Sequence, residues 1–478
     1  MSWETVVGLE VHVQLKTRSK IFCPCPTTFG DAPNTNVCPV CLGLPGALPV
    51  PNREALRLAV RAALALGFAV ERDTSVFARK NYFYPDLPKG YQISQFDRPL
   101  ATGGALEITS PERGPVAIGI TRLHLEEDAG KSFHDRIPAM TAIDFNRSGI
   151  PLVEIVSEPD LRSPAEARAY LLALKQVLEY VDVSDCNMEE GSLRVDANLS
   201  VRRPGAALGT KQEVKNMNSF ATVERALNLL RDRQIATLES GAPVALTTFS
   251  AATGELRAMR TKEESHDYRY FPEPDLHPVS LSEAGIEVAA ERSGLPELPA
   301  AKRLRFRRDY DLPDQDGTVL AGTRALADYY EIVVASGAPP KVAANWVLGP
   351  VLADANEHQE RFRVLPSRLR ELIRLVEQGT VSLQAAKRVF AEIAERDGPA
   401  AEVAERLGLV QIADRGQLDG WISTVLHAHP DEVRRYHQGE VKLLAFFMGA
   451  VMKESGGRAD PRKVQSALRQ KLNGPTQL

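Results

Sequence analysis

The feature that most limits what this chain can fold into is a change of hydrophobic period partway along it. Before about residue 294, apolar residues alternate or form short continuous runs at 5–15, 116–125, 151–156, 192–201 and 210–214, the pattern of strands. Helical periodicity separates them at 51–66, 163–181 and 220–239. The second of these opens Ser163-Pro164-Ala165-Glu166, an N-cap followed by proline and an acid in the first turn. Around residues 295–302 (Leu-Pro-Glu-Leu-Pro-Ala-Ala-Lys) the composition shifts, and beyond it strand signals largely vanish. Helical runs follow at 301–310, 322–335, 340–352, 366–378, 382–395 and 400–407, then a last unit at 417–472. With 478 residues the chain is too long for one core. The reading predicts an α/β (α+β) domain over 1–294 and two all-helical domains over 295–408 and 409–478.

Four of the five cysteines fall within nineteen residues, as Cys23-Pro24-Cys25 and Cys38-Pro39-Val40-Cys41. No apolar run reaches the roughly 18 residues of a membrane span, and the first eight residues carry Glu4 in place of a basic leader. The chain therefore reads as cytoplasmic, with no membrane partner. In a reducing compartment two close cysteine pairs joined by a loop indicate a zinc site before they indicate disulfides. Four thiolates leave no open coordination position, so the zinc at Cys23, Cys25, Cys38 and Cys41 is expected to be structural. Cys186 is read as a packed thiol.

The strand patterns carry a second chemistry. Residues 8–14 alternate so that Glu10, His12 and Gln14 share one face, opposite Leu9, Val11 and Val13. In residues 122–131, His124, Glu126 and Asp128 line one face and Glu127 the other unless a bulge intervenes. Glu154 stands alone in the apolar run 151–156, where a charge is costly unless paired or bound to a cation. Arg194, Asp196 and Asn198 alternate in the same manner. Several strands that each offer acids make a cradle suited to magnesium and nucleotide phosphates. Two loops, 79–91 and 266–275, interleave cations with aromatics, a composition that stacks bases and neutralises phosphates. No Walker A motif or Rossmann glycine fingerprint occurs.

Six segments in order, 8–14, 34–45, 80–95, 124–131, 187–192 (Asn-Met-Glu-Glu-Gly-Ser) and 266–275, resemble the B subunits of the glutamyl/aspartyl-tRNA amidotransferases, and the resemblance extends over nearly the whole chain. It implies one component of a ligase, with a cradle fold related to glutamine synthetase followed by a helical domain and a tail domain that grips tRNA. The implied activity converts misacylated Glu-tRNA(Gln) or Asp-tRNA(Asn) to Gln-tRNA(Gln) or Asn-tRNA(Asn). ATP phosphorylates the side-chain carboxylate, and ammonia channelled from a glutamine-hydrolysing amidase displaces the phosphate. The implied partners are that amidase (the A subunit), a small C subunit that completes a heterotrimer, and the misacylated tRNA. The cognate non-discriminating aminoacyl-tRNA synthetase is a further candidate.

Carried over by position, the resemblance places Glu10, His12, Glu126, Glu127 and Glu154 at the metal and ATP site. It points to Glu10, His12, Glu127 and Glu154 as magnesium ligands, with Glu126 and Asp128 as near substitutes, although strand alternation by itself favours Glu126 over Glu127. Lys80, Tyr82, Tyr84 and Lys89 fall in the stretch implied at the tRNA acceptor end, Arg79 with less support, and the four cysteines match the zinc-bearing version of the family.

Net charge is −4, which excludes a protein coated in positive charge but not a local basic surface. From Asp431 onward there are nine Lys or Arg against five acids, a local excess suited to phosphate contacts. A non-catalytic zinc-containing tRNA-binding scaffold would share the cysteines and this tail. It would not require an acid such as Glu154 inside an apolar strand.

Overall fold

The structure is a computed structural model that describes residues 2–70, 74–252, 254–259, 268–411, 415–457 and 459–473. Two units divide the chain, Met1–Pro299 and Ala300–Leu478.

The first unit is built outward from β1 (Glu4–Gln14), whose buried and part-exposed residues alternate from Gly8 to Gln14. The next elements in the chain are α1 (Arg53–Ala65), β2 (Ala69–Val70), β3 (Phe77–Asn81), β4 (Tyr91–Gln95), β5 (Ala101–Ser110) and β6 (Gly114–Glu127). They are followed by β7 (Lys131–Ile137), β8 (Met140–Asp144), β9 (Pro151–Ser157), α2 (Pro164–Tyr180), β10 (Leu193–Arg202), β11 (Gln212–Lys215) and α3 (Phe220–Glu239). Short β12 (Thr248–Ser250), β13 (Arg257–Ala258), β14 (Phe271–Pro272) and α4 (Val288–Ser293) complete it. Among the described residues nine strands form one sheet in the order β13-β12-β11-β10-β1-β9-β6-β5-β2, in which only the β11–β12 pair is parallel. Separate small sheets pair β14-β3-β4 and β7-β8.

One face of the large sheet is apolar. Leu9, Val11, Val13, Leu123, Leu125, Val153, Ile155, Val195 and Ala197 are buried in a single core with Leu171, Leu174 and Leu178 of α2 and Leu227 and Leu230 of α3. The helices start where side-chain caps satisfy free amides: Asn52 accepts from Glu54 and Ala55, Ser163 from Glu166, and Ser219 from Thr222. Strand β5 carries no clear apolar alternation near its start because Gly103 and Gly104 interrupt it. Gly104 is required there, since a Cβ would lie 2.7 Å from the Phe68 ring.

In the second unit, helices from Pro299–Tyr310 to Ala400–Arg406 enclose a cluster containing Phe306, Tyr330, Val347, Leu369, Ile373 and Val389. The 340–352 run, expected as one helix, is Pro340–Trp346, a π turn at Val347–Val351 and Leu352–Glu357. Pro350 lacks the amide that an α-helix would need there, and the wider turn absorbs the loss. A separate cluster of Ile422, Phe447, Val451, Val464 and Leu468 is built by Arg415–Ala428, Pro430–His437, Leu443–Glu454 and Pro461–Asn473. The architecture is thus a mixed-sheet α/β region followed by helices. Among the described residues no helix is long and apolar enough to cross a membrane.

Candidate functional site

The face of the large sheet opposite the core is polar, and register decides what meets on it. His12 on β1 lies opposite Arg194 on β10 and Glu154 on β9, and Glu154 lies opposite His124 on β6. Directly opposed residues of antiparallel strands share a face, so these four side chains form one row. Glu126 follows His124 by two residues and joins them. The β6–β9 register shifts between Ile120 and Arg122, upstream of the acids, so alternation from Arg122 onward is intact.

The row closes into a tight group. His12 Nε2 is 3.3 Å from Glu154 Oε2 and 3.4 Å from Glu126 Oε1. His124 Nε2 is 3.5 Å from Glu154 Oε2 and 3.7 Å from Glu126 Oε2. Donor atoms of His12, Glu126 and Glu154 all lie within 4.8 Å of one another, a spacing that can hold a metal ion. Burial opposes charge on His12, but the hydrogen bond to Glu154 and the field of Glu126 outweigh it and hold the ring's pKa at about 9. Burial likewise works against ionised Glu154, yet the two imidazoles keep it well below the usual carboxylate range; Glu126 is lowered for the same reason. Two acids are thus charged around the protonated His12 ring, an arrangement a divalent cation can take over by displacing that proton.

Two of the expected magnesium ligands are not brought into this group. The Glu127 carboxylate points to the other side of β6, where it accepts from the Lys89 ammonium and, at 2.8 Å, from the Ile93 amide. The strand period of two sends neighbouring acids in opposite directions. Glu10 shares the polar face but stands one row along, opposite Asp196, and accepts from Asn198 Nδ2 at 3.1 Å. Asp128 is held by Arg194 at 2.8 Å, Gln14 at 3.0 Å and Arg147 at 3.5 Å. His124, aligned with Glu126 by alternation but not carried into the expected ligand set, faces the same acids. Its Nδ1 is buried without a hydrogen-bond partner among the described residues.

The aromatic loops border this group. Lys80 extends from β3 beside the rings of Tyr268 at 5.0 Å and Tyr82 at 5.8 Å. Burial opposes its charge, and the fields of Tyr270, Glu126 and Glu154 overcome that and raise its pKa. The Tyr82 hydroxyl donates to Gln92 Oε1 at 3.2 Å, Tyr84 meets Tyr82 edge-on at 5.8 Å, and Phe96 stacks on Tyr270 at 4.1 Å. Arg79 is engaged by Glu273 at 2.7 Å and Asp275 at 3.1 Å and lies over Tyr91. Lys89 is committed to Glu127. His266 and Asp267 lie outside the described residues.

The four cysteines converge in a knuckle within the segment that links β1 to α1. All four sulfurs lie within 4.8 Å of one another, and Cys38 Sγ is 3.9 Å from Cys41 Sγ. Zinc bonded to four sulfurs at about 2.3 Å sets tetrahedral edges of about 3.8 Å, so the donor set fits a metal such as zinc. Asn34, in the left-handed region at φ 61°, turns the loop between the pairs, donating to the Ile143 carbonyl and accepting from the Phe145 amide. A hydrogen bond from Cys23, with the Cys38 amide and Lys20, brings the Cys41 thiol down to about 5, while burial lifts Cys25 to about 11.

In the tail, Lys442, Lys453, Arg462, Lys463 and Arg469 are exposed and have no ion-pair partner among the described residues. Arg434, Arg435 and Lys471 pair with Asp431, Glu440 and Asp419. Arg458 lies outside the described residues.

Comparison with known proteins places this chain in a family. Residues 5–287 match the GatB/GatE catalytic domain, and residues 328–472 match the GatB domain. The B subunit of the aspartyl/glutamyl-tRNA(Asn/Gln) amidotransferase from Thermosynechococcus vestitus (strain NIES-2133 / IAM M-273 / BP-1) is 50% identical over 488 residues, covering 99% of this chain and 97% of that protein. The protein of the same name from Halorhodospira halophila (strain DSM 244 / SL1) is 49% identical, and that from Moorella thermoacetica (strain ATCC 39073 / JCM 9320) is 50% identical. In both cases 99% of this chain and 100% of the relative are covered. The chain therefore belongs to the family of aspartyl/glutamyl-tRNA(Asn/Gln) amidotransferase B subunits.

Proposed function

We propose that this chain is the carboxylate-activating, tRNA-holding component of a glutamine-dependent amidotransferase acting on misacylated Glu-tRNA(Gln), Asp-tRNA(Asn) or both. The observation that carries the reading is the group of His12, Glu126 and Glu154 on the polar face, bordered by an aromatic loop. A scaffold protein has no use for two acids buried against two imidazoles, because such burial is costly without a ligand.

In the proposed reaction a side-chain carboxylate oxygen of the aminoacyl group attacks the γ-phosphorus of ATP and the bond to the β-phosphate oxygen breaks, releasing ADP. Ammonia then attacks the acyl carbon and phosphate leaves, giving the amide. His12, Glu126 and Glu154 would hold magnesium, which when bound screens the charge of the nucleotide phosphates. Glu10, one row away with Asp196, extends the acidic surface along which the cation and nucleotide are positioned. Lys80, with no ion-pair partner among the described residues, supplies positive charge where the acyl and phosphoryl groups meet. Tyr82, Tyr84, Tyr268 and Tyr270 offer ring faces to the unpaired terminal bases of the tRNA. Lys89 acts through Glu127, fixing the loop that presents those rings. The four cysteines hold a structural zinc, and the exposed tail cations contact tRNA phosphates. The partners are a glutamine-hydrolysing amidase and a small third protein that completes the heterotrimer, with the cytoplasm as the site of action.

Phosphorylation of misacylated tRNA by ATP in the assembled complex tests this. Glu126→Gln and Glu154→Gln should each lower the rate at least about 100-fold, the scale of lost charge stabilisation in a water-excluded site, with glutamine hydrolysis by the partner retained. A wild-type rate in either variant would refute the assignment.

A further inference from the structure

Lys20 is fully buried, with 0% of its surface exposed. Its ammonium donates to the Asn36 carbonyl at 2.7 Å, the Phe145 carbonyl at 3.3 Å and Cys41 Sγ at 3.6 Å. No carboxylate pairs with it among the described residues. Carbonyl dipoles alone do not balance a buried cation, which is normally retained only with an anion beside it. Among the described residues, the one hydrogen-bond partner of the ammonium that can carry negative charge is the sulfur of Cys41. A zinc ion with four thiolates carries a formal charge of −2, itself in need of a nearby cation, so each buried charge supplies what the other lacks.

The surroundings are shaped for this contact. The three acceptors belong to different segments: the loop between the cysteine pairs, the second pair itself, and the turn between β8 and β9. Ser148 Oγ donates to the Cys41 carbonyl at 3.2 Å. Gly149, at φ +85°, sits where a Cβ would come within 3.4 Å of both Cys41 Cβ and Lys20 Cδ. That turn leads directly into β9, which carries Glu154.

We propose that Lys20 is a positioning residue of the four-cysteine metal centre, its ammonium balancing the metal-thiolate charge through Cys41 and fastening the loaded knuckle to the turn before β9. The proposal rests on zinc occupancy of the knuckle. Metal ligands are commonly oriented by outer hydrogen bonds whose loss weakens affinity about 10–100-fold.

The test uses the full chain in its assembled complex, with Lys20→Met and Lys20→Gln removing the charge and Lys20→Arg retaining it. Zinc content of the wild type comes first. Zinc transfer to a chromophoric chelator is then followed, with the thiolate-to-cobalt absorption of cobalt-substituted protein as the spectroscopic readout. Both neutral variants should lose zinc about 10–100-fold more readily and shift the cobalt band, while Lys20→Arg stays nearer the wild type. Their thermal destabilisation should be larger in zinc-loaded than in metal-stripped protein. Equal zinc retention in the neutral variants, or the same destabilisation with and without metal, would overturn the proposal and leave Lys20 as packing alone. A wild type without zinc would instead overturn the occupancy on which it depends.

Discussion

Adjacent acids on β6 have opposite fates, and this divergence can be measured. Glu127 and Lys89 are buried together, at 3% and 8% side-chain exposure. Removing one charge of such a pair strands the other, at a cost of about 3–5 kcal/mol. Glu127→Gln should therefore lower the thermal midpoint of the first unit by several degrees, whereas Glu126→Gln, whose partner His12 keeps Glu154 at 3.3 Å, should lower it less and act chiefly on phosphorylation. Thermal unfolding of the two variants side by side distinguishes them. Much of this is legible in residues 122–128: alternation separates Glu126 from Glu127 and aligns His124 with Glu126. The motif resemblance is less discriminating, since it covers neighbouring positions alike. That β6 stays in step past Arg122 depends on where the strand bulges against β9, which only the pairing reveals. Lys20 is silent in the sequence for a related reason. A lone lysine before a cysteine pair carries no pattern, and its burial depends on carbonyls at Asn36 and Phe145, 16 and 125 residues along the chain.

Elements with local grammar are the easiest to place. Helix α2 follows Ser163, and Glu166 in its first turn ties it to the β5–β6 hairpin. Ser110 Oγ donates to Glu166 at 2.6 Å, Arg113 binds both carboxylate oxygens at 2.6 and 2.7 Å, and the Arg162 amide donates at 2.7 Å. Burial would raise the Glu166 pKa, but these donors win and lower it. A lowered folded value stabilises above the ordinary carboxylate value of 4.5 and is lost as pH falls through the folded value. Glu166→Gln should cost about 1.5–3 kcal/mol near neutrality, and the gap from the wild type should close on acidification. Denaturant unfolding at neutral and at acidic pH measures both. The helix is readable from its cap and period; the hairpin it grips is not. Strand β5 carries two glycines near its start, and the ring that dictates Gly104 belongs to Phe68, in the turn after α1. No local window contains both.

At the scale of the whole molecule, the chain divides into an α/β unit, Met1–Pro299, and a helical one, Ala300–Leu478. The helical unit contains two separate apolar clusters, and the helices around the second carry the exposed cations that have no ion-pair partner among the described residues. Deleting residues 417–478 should weaken tRNA binding and flatten its dependence on salt, because fewer phosphate counterions are released. Circular dichroism should show the remaining α/β unit folded. Equal affinity and an equal salt slope without the tail would assign the contact elsewhere.

The two faces of the large sheet also bear on how this protein can change. Between Leu9 and Val13, each position of β1 either fills the core or lines the polar row, as neighbouring side chains pass to opposite sides. Such a strand has no spare side on which neutral drift can accumulate. Substitutions that leave packing untouched alter the chemistry, and those that spare the chemistry disturb packing. An engineer seeking variability in this chain should therefore work in its exposed helices and leave β1 as it is.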